Sequence, residues 1–179
     1  WQIDDPYHYL PTVGELDLHL ISEGRHEELW KVLGSHVRSF KSALGAVKGV
    51  SFAVWAPNAQ AVRVVGDFNY WNGVAHSMRV MGSSGVWELF IPGIDVGTKY
   101  KYEILTKDGH WVTKIDPLAR QTELPPATAS IVTESTYKWK DSSWLKERAK
   151  RDALKSPMSI YEVHAGSWRP GLSYRQMAD

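Results

Sequence analysis

The sequence predicts a mainly β chain built on an immunoglobulin-like antiparallel β-sandwich, flanked by helical and extended segments. Two observations carry that expectation. About seven short runs of β-forming residues recur between Gly49 and Val132, separated by Gly, Pro, Asn, Asp or Ser turn signals. Tryptophan outnumbers phenylalanine nine to four. Such an excess suits rings placed where an indole N–H meets water or a ligand, and a Trp-rich all-β core accounts for most of them about equally well.

The elements follow in order. Residues 1–12 hold Pro6 and Pro11 among aromatics and read as an extended lead-in. Leu16, Leu18, Leu20 and Ile21 fit a helix or a strand, and Ser22-Glu23-Gly24 ends that run. Glu27–Leu33 gives one or two helical turns closed by Gly34 as a C-cap. Strands are then expected at residues 50–55, 61–65, 77–81, 86–91, 99–105, 110–114 and 129–132. Ala56–Ala59, Ser83-Ser84-Gly85 and Pro92-Gly93 supply turns, and Asp108-Gly109 is a strong hairpin signal. Phe52, Val54, Val64, Leu89 and Tyr102 are the expected core. Ser142 or Ser143 caps an expected solvated helix over about 144–154, which Ser156-Pro157 ends. Met158–His164 reads as a buried strand with no following segment to pair with it.

Composition narrows the function. The 179 residues carry a net charge of +1 with no basic stripe, so nucleic acid is not an expected partner and a neutral ligand fits. There is no cysteine, hence no disulfide framework or thiolate metal site. No apolar run reaches membrane length and no signal-peptide core opens the chain, so no membrane partner and a cytoplasmic location are expected. The opening at Trp1 and the stop at Asp179 in mid-pattern suggest a piece of something longer.

Catalytic patterns are missing. The seven histidines are scattered without metal-ligand spacing. There is no Gly-rich phosphate loop and no Gly-x-Ser-x-Gly elbow. No catalytic residue, metal or cofactor is therefore expected. One stretch suggests binding instead. Gly66-Asp67-Phe68-Asn69-Tyr70-Trp71 follows a strand and runs into Asn72-Gly73, a turn that would hold a flat ring at a loop rim. A pyranose has an apolar C–H face that stacks on an indole. On composition alone, Trp71 finishing a small core is the favoured reading.

Several motifs together resemble a known family. Phe52–Ala59, Gly66–Trp71, Gly85-Val86-Trp87-Glu88 and Tyr100-Lys101-Tyr102 are similar, in order and spacing, to the family-48 carbohydrate-binding module. That module precedes the catalytic barrel in many glycoside hydrolases of family 13. Ser159–Trp168 resembles the first barrel strand of bacterial glycogen branching enzymes, and Leu172–Arg175 the start of their first helix. Asp5-Pro6-Tyr7 and Leu33–His36 resemble the same enzymes.

The resemblance implies four parts. Residues 1–44 would be a lead-in and linker from an upstream β-domain, and 45–135 the carbohydrate-binding sandwich. Residues 136–157 would be a linker helix, and 158–179 the truncated start of the catalytic barrel. It also implies an α-1,4-glucan partner, such as glycogen or a malto-oligosaccharide, and the catalytic barrel of the same protein as a second partner. The family's catalytic carboxylates lie on later barrel strands and match nothing here, so the chain alone should be inactive. The family's sugar platform of two tryptophans and a lysine falls on Trp71, Trp111 and Lys101, with Asn69 a weaker candidate. A free-standing regulatory glycan sensor and a purely structural spacer are the alternatives.

Overall fold

A computed structural model describes residues 5–42 and 45–179. It divides into two compact units, Trp1–Thr136 and Tyr137–Asp179. Residues 1–4 of the expected lead-in, and 43–44 before the expected sandwich, lie outside the described residues.

Among the described residues, the first unit is an antiparallel sandwich of eight strands: β1 Gly34–Ser42, β2 Gly45–Trp55, β3 Ala61–Gly66, β4 Arg79–Val80, β5 Val86–Pro92, β6 Lys99–Leu105, β7 Trp111–Lys114 and β8 Ser130–Ile131. One sheet runs β1-β2-β5-β4. The other runs β3-β6-β7, with β8 also pairing with β6. Val50, Phe52, Val54, Leu89 and Ile91 from the first sheet meet Val62, Val64, Tyr100 and Tyr102 from the second. All five expected core residues are buried there.

Three differences from the sequence reading have physical causes. The first is β1, which falls in the segment read as linker but forms a hairpin with β2, in register from Gly34↔Ala53 to Ser42↔Gly45. Its apolar residues are out of phase because its two faces are covered at different points. Val37 packs into the inter-sheet core, whereas Phe40 on the other face meets Tyr9 and Phe90. No period-2 pattern survives that arrangement. The second is the run 77–81, which changes sheets. Met78 N–H bonds the Val62 carbonyl and Arg63 bridges to Ser77, while Arg79 and Val80 pair with β5.

The third is the lead-in, which folds onto the outer face of the first sheet. Helix α1, Glu15–Ser22, resolves the helix-or-strand ambiguity. Its Leu18 and Ile21 join Val13, Leu29 and Leu33 over Ala53 and Val86. The turn before Gly34 is a 3-10 turn at Leu29–Lys31 capped by Val32, and Gly34, expected as its cap, instead opens β1 with φ +94. That left-handed value suits glycine alone without strain.

A buried polar cluster closes one end of the core. Tyr100 Oη donates to Asp116 Oδ2 at 2.5 Å, Tyr102 Oη donates to the same oxygen at 3.4 Å, and Asp116 N–H meets Ser130 Oγ at 3.0 Å. Burial pushes the Asp116 carboxyl up, against the lowering effect of these hydrogen bonds. Burial, then the Asp116 charge, raises both tyrosines above their ordinary value. A raised tyrosine gives stability that is whole below the unfolded-chain pKa, about 10, and is lost as pH rises beyond it. Urea unfolding between pH 9 and 11 should therefore show falling stability, with a shallower fall for Tyr102→Phe. An equal slope in that variant would contradict the assignment.

In the second unit, α2 spans Ser142–Lys150, α3 Ala165–Trp168 and α4 Tyr174–Ala178. The linker helix is thus present, starting and ending a little earlier than expected. Ser173 caps α4 by accepting from Gln176 N–H. Residues 157–164 form no strand, and Ile160 and Tyr161 are exposed. This corrects the expectation of a buried strand. A strand's N–H and C=O groups need a paired neighbour, and no other segment of this unit is a strand.

Candidate functional site: an aromatic surface on the second sheet

Tyr100 and Tyr102 point into the core, so Lys101, Glu103 and Leu105 of β6 point outward. The register places Val65 beside Lys101, Arg63 beside Glu103, and Trp111 beside Leu105. These residues share the sheet's outer face.

Trp111 lies at one end of that face and is 40% exposed. The Arg63 guanidinium sits 4.0 Å from its ring centroid, reaching across β6. That cation–π contact occupies one side of the ring.

The loop after β3 supplies the second tryptophan. A 3-10 turn at Asp67–Asn69 leads into Tyr70 and Trp71, whose φ values of 52 and 60 lie in the left-handed region. Two consecutive non-glycine residues there cost on the order of 1–3 kcal/mol each, a strain that concentrates at ligand sites. The strain has a visible result: Tyr70 is 93% exposed and Trp71 41%. Gly73 seats the loop on the outer face. A Cβ there would lie 2.8 Å from both Arg63 Cβ and Glu103 Oε2. At Gly66 it would lie 2.2 Å from the Lys99 carbonyl oxygen.

Lys101 Nζ donates to Thr128 Oγ1 at 2.7 Å. An ammonium has three donors, so two remain for a ligand. The neighbouring Glu123 carboxyl is held below its usual range by the Lys99 hydrogen bond, then by Ala129 N–H.

Lys101 and Trp111 therefore share one face, and the loop that carries Trp71 is seated on it at Gly73. Trp71 and Lys101 are placed near its Gly66–Tyr100 end: Trp71 N–H bonds the Gly66 carbonyl and Lys101 pairs with Val65. Trp111 pairs with Leu105, four residues farther along β6, or about 13 Å.

Asn69 plays a different part from the one considered. Its Oδ1 accepts from Gly66 N–H, and its Nδ2 faces the Val64 carbonyl and His76 Nδ1. The amide is spent inside the loop. Tyr70, Arg63 and Thr128 were missed by the sequence reading. Tyr70 carried a signal, an aromatic within the same motif. Arg63 and Thr128 reach the site across the sheet, which local patterns do not show.

Among the described residues, no group of three or more His, Cys, Asp or Glu side chains could hold a metal ion. No helix there is long and apolar enough to cross a membrane. A cavity of about 380 Å³ lies elsewhere, against the first sheet, lined by Ile21, Leu29, Leu33, Trp55 and Leu118 among others. It contains none of the three platform residues.

Residues 32–119 match carbohydrate-binding module 48, the isoamylase N-terminal domain. This stretch of the chain belongs to that family of modules. The whole chain is 58% identical over 179 residues to the 1,4-alpha-glucan branching enzyme of Leifsonia xyli subsp. xyli, covering 24% of that protein. It is 62% identical over 177 residues to the branching enzyme of Thermobifida fusca, covering 99% of this chain and 24% of that protein. The chain thus spans about a quarter of the length of the curated relatives it matches. A solved maltotriose complex of PulA from Klebsiella pneumoniae is similar at a TM-score of 0.45 and 25% identity, over 57% of this chain and 11% of that one.

Proposed function

We propose that this chain is the glucan-binding and scaffolding N-terminal region of a 1,4-alpha-glucan branching enzyme, with Trp71 and Trp111 as stacking platforms and Lys101 as a hydroxyl-binding donor. The observation that carries the reading is the exposure of two tryptophans, Trp111 on the sheet's outer face and Trp71 on the loop seated against it, with Lys101 outward on β6. Identity to branching enzymes over the full chain supports this reading over a free-standing sensor.

In this reading the whole protein breaks an α-1,4 glucosidic bond and forms an α-1,6 bond to a 6-hydroxyl, through a covalent glycosyl intermediate on a carboxylate. That carboxylate lies beyond this chain. Residues 158–179 lead into the catalytic barrel, and Ile160–Val163 becomes a strand when the barrel supplies its neighbours. In this reading the protein works in the cytoplasm.

Titration with maltoheptaose, followed by tryptophan fluorescence, should give a Kd on the order of 10 µM to 1 mM, as suits a shallow open surface. The ligand is neutral, so raising salt should barely change it. The chain alone should leave the iodine absorbance of amylose unchanged. An absence of binding at millimolar oligosaccharide would overturn the glucan reading.

A further inference from the structure

We infer that Asn69 and His76 are positioning residues that lock the Trp71 loop in its binding conformation, and that the lock requires a neutral His76 ring. The inference rests on the glucan-binding reading for its functional consequence and on loop geometry for the lock itself.

The geometry fixes which atoms face each other. Gly66 N–H donates to one end of the Asn69 amide at 2.9 Å, so that end is Oδ1. The other end lies 3.0 Å from the Val64 carbonyl, so it is the NH2 group. Flipping the amide would set NH2 against N–H and C=O against C=O. The second hydrogen of that NH2 points to His76 Nδ1 at 3.1 Å. Nδ1 must therefore offer a lone pair, and the neutral ring carries its proton on Nε2. Protonating Nδ1 sets N–H against N–H and breaks the contact.

The contact spans the whole loop. Asn69 stands immediately before the two left-handed residues, and Asn72 N–H bonds its carbonyl. His76 closes the far end, where its carbonyl accepts from Val64 N–H. Its ring also packs edge-on against Phe68, with centroids 5.3 Å apart. The strained pair Tyr70-Trp71 is thus bracketed by one side-chain hydrogen bond that can be switched off.

Charged and titratable groups on the surrounding elements are engaged elsewhere. Arg63 of β3 lies over Trp111, Arg79 of β4 is bound to Glu88, and Asp67 lies near Lys99 N–H. Glu103 of β6 lies against Gly73, and Tyr7 of the lead-in donates to the Ser77 carbonyl. Burial lowers the His76 pKa below its ordinary 6.5. Neutral His76 therefore prevails at pH 7, and the lock opens as pH falls through the lowered value.

The test compares maltoheptaose affinity at pH 8 and pH 5. In the wild type, Kd should rise about fivefold or more, the equivalent of one lost hydrogen bond. His76→Asn puts a non-titrating Oδ1 near the place of Nδ1. Whatever its affinity at pH 8, its ratio between the two pH values should fall to near one. A wild-type Kd unchanged between these pH values, with the fold intact by circular dichroism, would overturn the lock. So would a His76→Asn variant that keeps the wild-type ratio.

A second readout needs no sugar. The Trp71 indole N–H resonance, assigned with Trp71→Phe, should shift with the same midpoint as the His76 ring. If maltoheptaose fails to bind at pH 8, the glucan reading fails, and this resonance still decides the lock. A Trp71 signal indifferent to the His76 titration overturns it.

Discussion

Replacing Glu88 with alanine should destabilise the first unit by about 3–5 kcal/mol, the range for removing one partner of a buried ion pair. Glu88 is fully buried on the outer face of β5. Its Oε1 accepts from Thr12 N–H at 3.0 Å and Thr12 Oγ1 at 3.1 Å, and its Oε2 from Arg79 Nε at 3.0 Å. Arg79 in turn donates to the Tyr9 carbonyl at 2.8 Å. One carboxylate thus ties the lead-in to both β4 and β5. Alanine leaves the guanidinium short of its counter-ion and a backbone N–H unpaired, each a separate cost. Urea denaturation should show a large fall in midpoint. A loss below about 1 kcal/mol would mean that water reaches the site and replaces the carboxylate.

Replacing Trp71 and Trp111 together by alanine should abolish measurable glucan binding while the fold persists. Each stacked indole contributes about 1–2 kcal/mol, a tenfold or so change in affinity. Taken as independent stacking positions, their losses should add, giving about a hundredfold together. Neither side chain belongs to the apolar core clusters, so unfolding midpoints should move little. Near-normal binding by the folded double variant would move the site elsewhere and favour the scaffold role.

The sandwich was legible because its central strands end in strong turn chemistry. Asp108-Gly109 sets the β6–β7 hairpin, and Gly85 and Gly93, both with positive φ, flank β5. The lead-in and β1 were not, because their apolar residues belong to two clusters on opposite sides of one sheet. Periodicity detects one buried face, not two. The segment 157–164 misled for a related reason. Its strand-like composition reflects pairing that no other part of the second unit supplies.

The site shows the same division. Trp71 and Trp111 are proposed from a turn motif and a family resemblance. Their supports were found only in space: Arg63 across β6 for Trp111, and His76 at the far end of the loop for Trp71. Asn69 shows how a polar residue inside a binding motif can serve the backbone rather than the ligand.

The central claim is that one extended glucan lies across both indoles. It is tested most directly by titrating maltoheptaose into isotopically labelled protein and following every tryptophan indole N–H resonance. The account predicts saturable shifts at Trp71 and Trp111 with a common Kd, and much smaller ones at Trp30, Trp55, Trp87, Trp139, Trp144 and Trp168. Shifts confined to other tryptophans, or different affinities at Trp71 and Trp111, would contradict it.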